Sequence, residues 1–93
     1  MPFYVYILAN RRYGTFYVGV TNDIARRVYE HRERLVDGFT KTHGVKTLVY
    51  VEHHERAEDA IRREKRLKKW NRAWKIELIE RNNPNWDDLY ERL

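Results

Sequence analysis

The side chains of this sequence whose chemistry suits hydrolysis of a phosphodiester bond are Tyr6, Tyr17, Arg27, His31 and Glu64. A carboxylate can hold a hard divalent cation, a hydroxyl or an imidazole can serve as a base for water, and a guanidinium can stabilise the charge that develops on phosphate. Either tyrosine alone is better explained as a core or cross-strand aromatic. The whole set, in a small basic chain, predicts a phosphodiester hydrolase.

The tyrosines lie on two neighbouring predicted strands. Tyr4, Tyr6 and Leu8 alternate along the first strand and therefore point to one face of the sheet. Tyr17 lies on the second strand beside Gly19, where the missing side chain lets another group approach the backbone. We therefore expect both tyrosines on one β-hairpin.

Helical periodicity turns two cationic groups toward the core. At about 100° per residue, the first predicted helix has an apolar arc formed by Ile24, Val28 and Leu35. Arg27 and His31 fall inside or beside that arc. Both groups therefore need polar or charged partners.

The second predicted helix places a single acid on its apolar stripe. The stripe is formed by Ala57, Ala60, Ile61 and Leu67. Glu64 lies between its members, and a charge buried there must be paired, hydrogen-bonded or bound to metal because desolvation is costly. An alternative interpretation is therefore a structural salt bridge between Arg27 and Glu64, with His31 as a hydrogen-bonded histidine at the edge of the core.

The distribution of charge favours an anionic partner. Nineteen Lys and Arg against fourteen Asp and Glu give a net charge of +5, and residues 62–75 hold eight basic side chains and one acid, Glu64. Such a run is often only a solvated helix face, but Trp70 and Trp74 lie within it and favour nucleic-acid contact. The candidate nucleic-acid contacts are Arg26, Lys41, Arg63, Lys65, Lys68 and Lys69.

Length and composition exclude several classes of protein. A chain of 93 residues predicts one domain over residues 1–93. The absence of cysteine excludes disulfides, thiolate metal sites and cysteine nucleophiles. No apolar run is long enough for a membrane span and the start lacks a signal peptide's basic region, so we expect a cytoplasmic protein without a membrane partner.

The pattern of apolar and turn residues predicts an α+β fold of order ββαβααα. Strands are expected over 3–9, 15–20 and 47–53, helices from about 21–23 to 36, 56 to 70 and 71 or 72 to 83, and a loop over 39–46. Asn85 is expected to cap a last short helix that carries Trp86, Leu89 and Leu93.

From Tyr4 to about Leu78, the chain resembles the GIY-YIG nuclease superfamily, and especially its small single-domain bacterial members. The matching positions are the tripeptides Val5-Tyr6-Ile7 and Tyr17-Val18-Gly19, followed by Arg27, His31 and Glu64. Arg27 lies ten residues after Tyr17, and His31 follows one helical turn later. Several positions at matching spacings are more specific than either tripeptide alone.

The resemblance implies a three-stranded antiparallel sheet flanked by helices and cleavage of duplex or branched DNA. It implies one Mg²⁺ or Mn²⁺ held by Glu64, with a possible role in repair or recombination. Tyr6 is then the first choice as base for the attacking water and Tyr17 the second, while Arg27 would stabilise the phosphate and His31 would position water or contact phosphate. Family members often carry a polar residue after the glutamate, for which Asn71 is the nearest candidate.

Two other classes of function compete with an enzyme. A non-catalytic nucleic-acid-binding module would keep the fold and the basic surface, but binding alone does not need a lone carboxylate beside the phosphate path. A partner-binding protein would use Trp70 and Trp74 but leaves the candidate site residues without a role. The sequence gives no sign of a protein cofactor.

Overall fold

The computed structural model describes every residue from Met1 to Leu93. Its elements are strands β1 (Phe3–Ala9) and β2 (Phe16–Thr21), helices α1 (Ile24–Arg32) and α2 (Phe39–His43), strand β3 (Thr47–His54), helices α3 (Ala57–Lys69) and α4 (Arg72–Asn82), and a final 3-10 helix (Leu89–Arg92). The strands form one antiparallel sheet in the order β2-β1-β3. The predicted fold class, a three-stranded antiparallel sheet flanked by helices, is confirmed.

Strand β1 forms the centre of the sheet, and its β-branched and aromatic side chains are well suited to that position. Residues 5–9 expose at most 1% of their surface. The loop into β2 is closed by the Asn10 side chain, whose Oδ1 accepts a hydrogen bond from the Thr15 backbone N–H at 2.8 Å. The predicted hairpin is therefore present.

The sheet separates two apolar layers. On one face, Tyr6 and Leu8 pack with Val28 of α1. On the other, Ile7 packs in a cluster that includes Leu67 of α3 and residues of α4. A fully buried side chain of this kind stabilises the fold by roughly 1.5–3 kcal/mol. Helix α1 and helix α3 thus lie on opposite faces of one sheet.

Helix α1 is shorter than predicted and ends at Arg32 instead of near residue 36. Arg34 adopts a left-handed conformation with φ 58°, and the Leu35 N–H donates to the Glu30 carbonyl at 2.9 Å. This closing geometry ends a helix. Leu35 therefore lies beyond the helix and is 66% exposed, so its predicted place in the apolar arc was wrong.

The segment predicted as a loop over 39–46 contains the five-residue helix α2. It is flanked by Gly38 and Gly44, and Gly44 takes the left-handed conformation with φ 64° that ends the helix. A helix of this length shows no periodicity in a sequence, which explains why it was missed. It buries Thr40, which is 6% exposed.

Helices α3 and α4 lie within a residue or two of their predicted bounds. Ile61, placed on the apolar stripe by its spacing, is 45% exposed, because Ala60 and Leu67 face the core and Ile61 is rotated away from them. Asn71 caps α4, since its side chain accepts a hydrogen bond from the Trp74 backbone N–H at 2.8 Å. That hydrogen bond gives Asn71 a structural role.

The chain after α4 folds differently from the predicted short helix capped by Asn85. The buried Asn83 side chain donates to the carbonyls of Val49 and Asp87, which holds a turn in place. The last element is a 3-10 helix whose cap is Asp88. No helix in the protein combines the length and the apolar character needed to cross a membrane.

Candidate active site

Tyr6 and Gly19 are direct cross-strand partners, and the tyrosine ring lies across the glycine. A Cβ atom on Gly19 would lie 2.5 Å from both the Cζ and the hydroxyl oxygen of Tyr6, and 3.0 Å from Cε2 of Tyr17. The ring centroids of the two tyrosines are 6.3 Å apart. The missing side chain of Gly19 therefore lets the two aromatic rings meet over the edge strand β2.

A buried chain of hydrogen bonds leads away from the Tyr6 hydroxyl. The hydroxyl lies 3.3 Å from Nε2 of His31, whose Nδ1 lies 3.0 Å from Oγ1 of Thr40. The guanidinium of Arg27 lies beside the same hydroxyl and has only donors. The imidazole of His31 therefore links the hydroxyl groups of Tyr6 and Thr40 through its two ring nitrogens.

Burial sets the protonation states of Tyr6 and His31. It raises the pKa of Tyr6 to about 12, although the positive charge of Arg27 acts in the opposite direction. Burial and the charge of Arg27 both lower the pKa of His31. At neutral pH the folded protein therefore holds a neutral phenol hydrogen-bonded to a neutral imidazole.

The lowered pKa of His31 predicts that the protein loses stability as the pH falls. Below the ordinary pKa of 6.5, the unfolded chain takes up the proton that the folded protein resists, so the free energy of unfolding decreases by up to about 1.4 kcal/mol per pH unit. Urea unfolding between pH 8 and pH 5 measures this slope. His31→Gln, which keeps a donor and an acceptor, is expected to have a shallower slope, and equal slopes for the two proteins would contradict the assignment.

Arg27 lies at the solvent-exposed edge of the hydrogen-bond network formed by Tyr6, His31 and Thr40. It is half-buried, and its Nη1 lies 3.4 Å from Oε1 of Glu30 one helical turn away. Both residues line an open cleft of about 620 Å³ between the end of β2 and the start of α1. Arg26 and Asp23 also line this cleft, whereas Tyr6, Tyr17 and Glu64 do not.

Glu64 lies on α3, in the layer opposite to that of Tyr6. Its side chain is only 14% exposed and forms an ion pair with Lys68 at 2.9 Å, and its negative charge raises the pKa of Tyr6. The salt bridge between Arg27 and Glu64, considered as an alternative, is not formed, because Arg27 pairs with Glu30 and Glu64 with Lys68. Glu64 therefore has no buried structural partner.

The residues present fit a single hard cation better than a multi-ligand centre. No group of three or more His, Asp or Glu side chains is gathered in a metal-binding arrangement. Mg²⁺ commonly binds through one or two carboxylates and keeps water and substrate phosphate as its other ligands. A half-buried Glu64, whose only ion-pair partner is a flexible and half-exposed lysine, meets that requirement.

The six predicted nucleic-acid contacts divide into two groups. Five have exposed side chains, namely Arg26, Lys41, Lys65, Lys68 and Lys69. Arg63 differs, because its Nε lies 3.1 Å from Oε2 of Glu52 and its guanidinium lies over the Trp70 ring at 5.1 Å. Arg63 therefore holds α3 against β3.

Sequence reasoning missed three partners. Thr40 lies in the unpredicted helix α2, so nothing indicated that it would meet His31. Glu30 could have been found, because a spacing of three residues places it on the same helix face as Arg27. Glu52 accepts one hydrogen bond from Tyr50 on the same strand and another from Arg63, and the second is a pairing between β3 and α3 that no local pattern reveals.

Comparisons with known proteins match one domain family and one group of small proteins. The model of the GIY-YIG catalytic domain matches residues 2–77. A UPF0213 protein of Halobacterium salinarum is 39% identical over 66 residues, which cover 71% of this chain and 86% of that protein. One from Clostridium perfringens is 36% identical over 76 residues, covering 82% and 81%. The solution NMR structure of a UPF0213 protein from Bacillus halodurans superposes with a TM-score of 0.59 at 30% identity, over 95% of this chain and 93% of the other.

Proposed function

Because the chain belongs to the GIY-YIG family, we propose that it is a metal-dependent endonuclease that hydrolyses phosphodiester bonds in DNA. The observation that carries this proposal is the contact of Tyr6 with His31, with Arg27 beside the same hydroxyl and the charge of Glu64 also acting on it. These groups come from both layers of the fold, and binding alone would not require a carboxylate near this site. We place the enzyme in the cytoplasm, with duplex or branched DNA as its partner and repair or recombination as its setting.

Arg27 and Glu64 have complementary tasks in this proposal. Arg27 binds the scissile phosphate beside the two tyrosines and stabilises the charge that develops on its oxygens. Glu64 holds the Mg²⁺ or Mn²⁺ ion. That ion, when bound, supplies Lewis-acid stabilisation of the phosphate oxygens. Lys68, which pairs with Glu64 in the free protein, is half-exposed and could contact the DNA backbone beside the residue that would hold the ion.

Accessibility favours Tyr17 over Tyr6 as the group that contacts the attacking water. Tyr6 is 1% exposed and its hydroxyl is already engaged by His31. Tyr17 is only half-buried, and it lies close enough to Arg27 for their charges to interact. A side chain that accepts a proton from the attacking water must be able to contact that water, which the partial exposure of Tyr17 allows. In this assignment Tyr6 is a positioning residue that acts through His31 and Arg27.

Cleavage assays on two tyrosine variants test the proposal. With Mg²⁺ or Mn²⁺, the protein should cut supercoiled or branched DNA, and EDTA should stop the reaction. Tyr17→Phe is expected to lose cleavage by roughly 10²–10⁴-fold at an unchanged melting temperature, whereas Tyr6→Phe should lower both rate and melting temperature because it removes a buried hydrogen bond. Tyr29→Phe, on an exposed position of α1, is the control.

Two other results would contradict the proposal, one for the assignment of the base and one for the enzymatic activity. An active Tyr17→Phe together with an inactive but equally stable Tyr6→Phe would return the role of base to Tyr6. Tight DNA binding without cleavage under any metal condition would identify the protein as a non-catalytic nucleic-acid-binding module.

A further inference from the structure

Helix α3 carries two different surfaces on its two flanks. Ala60 and Leu67 face the core and are fully buried. At about 100° per residue, Glu64 then lies on one flank, and Arg63 and Trp70 lie on the other. The second flank therefore faces away from the candidate active site and plays no part in the proposed mechanism.

Aromatic and cationic side chains form a strip that runs from this second flank of α3 to Trp74 in the first turn of α4. The guanidinium of Arg63 lies 5.1 Å from the centroid of the Trp70 ring. The Trp70 and Trp74 rings meet edge to face, with centroids 5.9 Å apart and an angle of 89°. Trp74 is 55% exposed, so much of its indole surface is free. An exposed indole beside a second tryptophan marks a contact surface for a ligand.

The charge beside the tryptophans is positive and largely uncommitted. Arg62 and Arg66 line a pocket of about 220 Å³ next to Arg63. Arg66 forms no ion pair, and Arg62 pairs only with Asp59, through side chains that are 68% and 51% exposed. At the other end of the strip, the single acid beside Trp74 is already neutralised, because Glu77 pairs with Arg81 at 2.8 Å.

We propose that this aromatic strip, formed by Arg62, Arg63, Arg66, Trp70 and Trp74, binds single-stranded DNA. An unpaired base stacks on Trp74, and Arg62 and Arg66 contact neighbouring phosphates, which is the combination of stacking and backbone contact that single strands favour. Bases inside a duplex are already stacked and cannot reach an indole at the surface.

The strip also defines a substrate class, and this step rests on the proposed nuclease function. If phosphate is cut on the flank that carries Glu64 while an unpaired segment is held on the opposite flank, one DNA molecule must pass around α3. DNA with an unpaired segment meets this requirement, whether as a free strand or as an arm beside a duplex, and an uninterrupted duplex does not. The strip therefore selects DNA that carries a single-stranded segment.

Binding of labelled oligo(dT) in EDTA tests the strip without any cleavage. Fluorescence anisotropy is expected to show a Kd for Trp74→Ala about 10-fold or more weaker than that of the unmodified protein, and Trp74→Phe should restore most of the affinity. Arg62→Gln with Arg66→Gln should flatten the salt dependence of log K by about 0.7 for each lost phosphate contact. Unmodified protein should also show quenched tryptophan fluorescence with oligo(dT), and little quenching with a duplex of equal length.

Each contrary outcome is distinguishable from failure of the nuclease proposal. Unchanged oligo(dT) affinity in Trp74→Ala would overturn the strip even if the protein cuts DNA. A Trp74→Ala variant that changes the sedimentation of the protein alone, with unchanged oligo(dT) affinity, would make the strip a protein interface instead. Loss of oligo(dT) affinity in Trp74→Ala supports the strip even if no DNA is cut.

Discussion

Glu64→Gln is expected to lose DNA cleavage by orders of magnitude and to keep its fold. The amide has nearly the same shape as the carboxylate but lacks the charge that holds a hard cation. Stability should change by no more than about 1 kcal/mol, because the only ion pair lost is with the half-exposed Lys68. Cleavage rates and thermal melts on the same samples measure both effects.

DNA binding separates this result from a general loss of function. Glu64→Gln should bind DNA at least as tightly in EDTA, since a carboxylate that repels phosphate has been removed. Glu58→Gln, on an exposed position of the same helix, is the matched control and should cleave normally. Normal cleavage by Glu64→Gln would show that Glu64 is not the metal ligand, and a variant unfolded at assay temperature would make Glu64 structural.

Gly19→Ala is expected to disable cleavage from a position that carries no functional group. The new Cβ would overlap the Cζ and the hydroxyl oxygen of Tyr6, each 2.5 Å away. The tyrosine ring must then move, which breaks its hydrogen bond to His31 and shifts it relative to Arg27. Overpacking of this kind costs about 1–3 kcal/mol, so the melting temperature should fall by several degrees.

The neighbouring residue provides the control for this strand. Val18 is buried in the other layer, so Val18→Ala should lower stability without moving Tyr6. Cleavage measured well below both melting temperatures is expected to be strongly reduced in Gly19→Ala and retained in Val18→Ala. Equal activity of the two variants would show that the position of the Tyr6 ring does not matter.

The parts of the site that follow from local patterns could be predicted from the sequence. Alternation along β1 and the glycine in β2 placed Tyr6, Tyr17 and Gly19 together, because strand geometry has a period of two. Helical spacing likewise turned His31 inward, and it is 3% exposed in the fold. Both inferences depend on backbone geometry that repeats over several residues.

Partners separated along the chain could not be predicted in the same way. Periodicity does not reveal where a helix ends, so Leu35 was placed inside the core although a left-handed residue ends α1 before it. It also does not choose between possible charge partners, so an Arg27–Glu64 salt bridge was considered where each residue has a nearer partner on its own helix. Thr40 lies between two glycines, in a segment with no regular pattern.

The separation of the site across two layers has a consequence for synthesis of the protein. The ribosome makes the hairpin and α1 before β3 and α3, so Tyr6, Tyr17 and Arg27 emerge well before Glu64. Glu64 takes its place in the fold only after α3 has packed on the far face of the sheet. A nascent or partly folded chain therefore lacks the complete set of proposed catalytic groups, which would delay DNA cleavage until folding is finished.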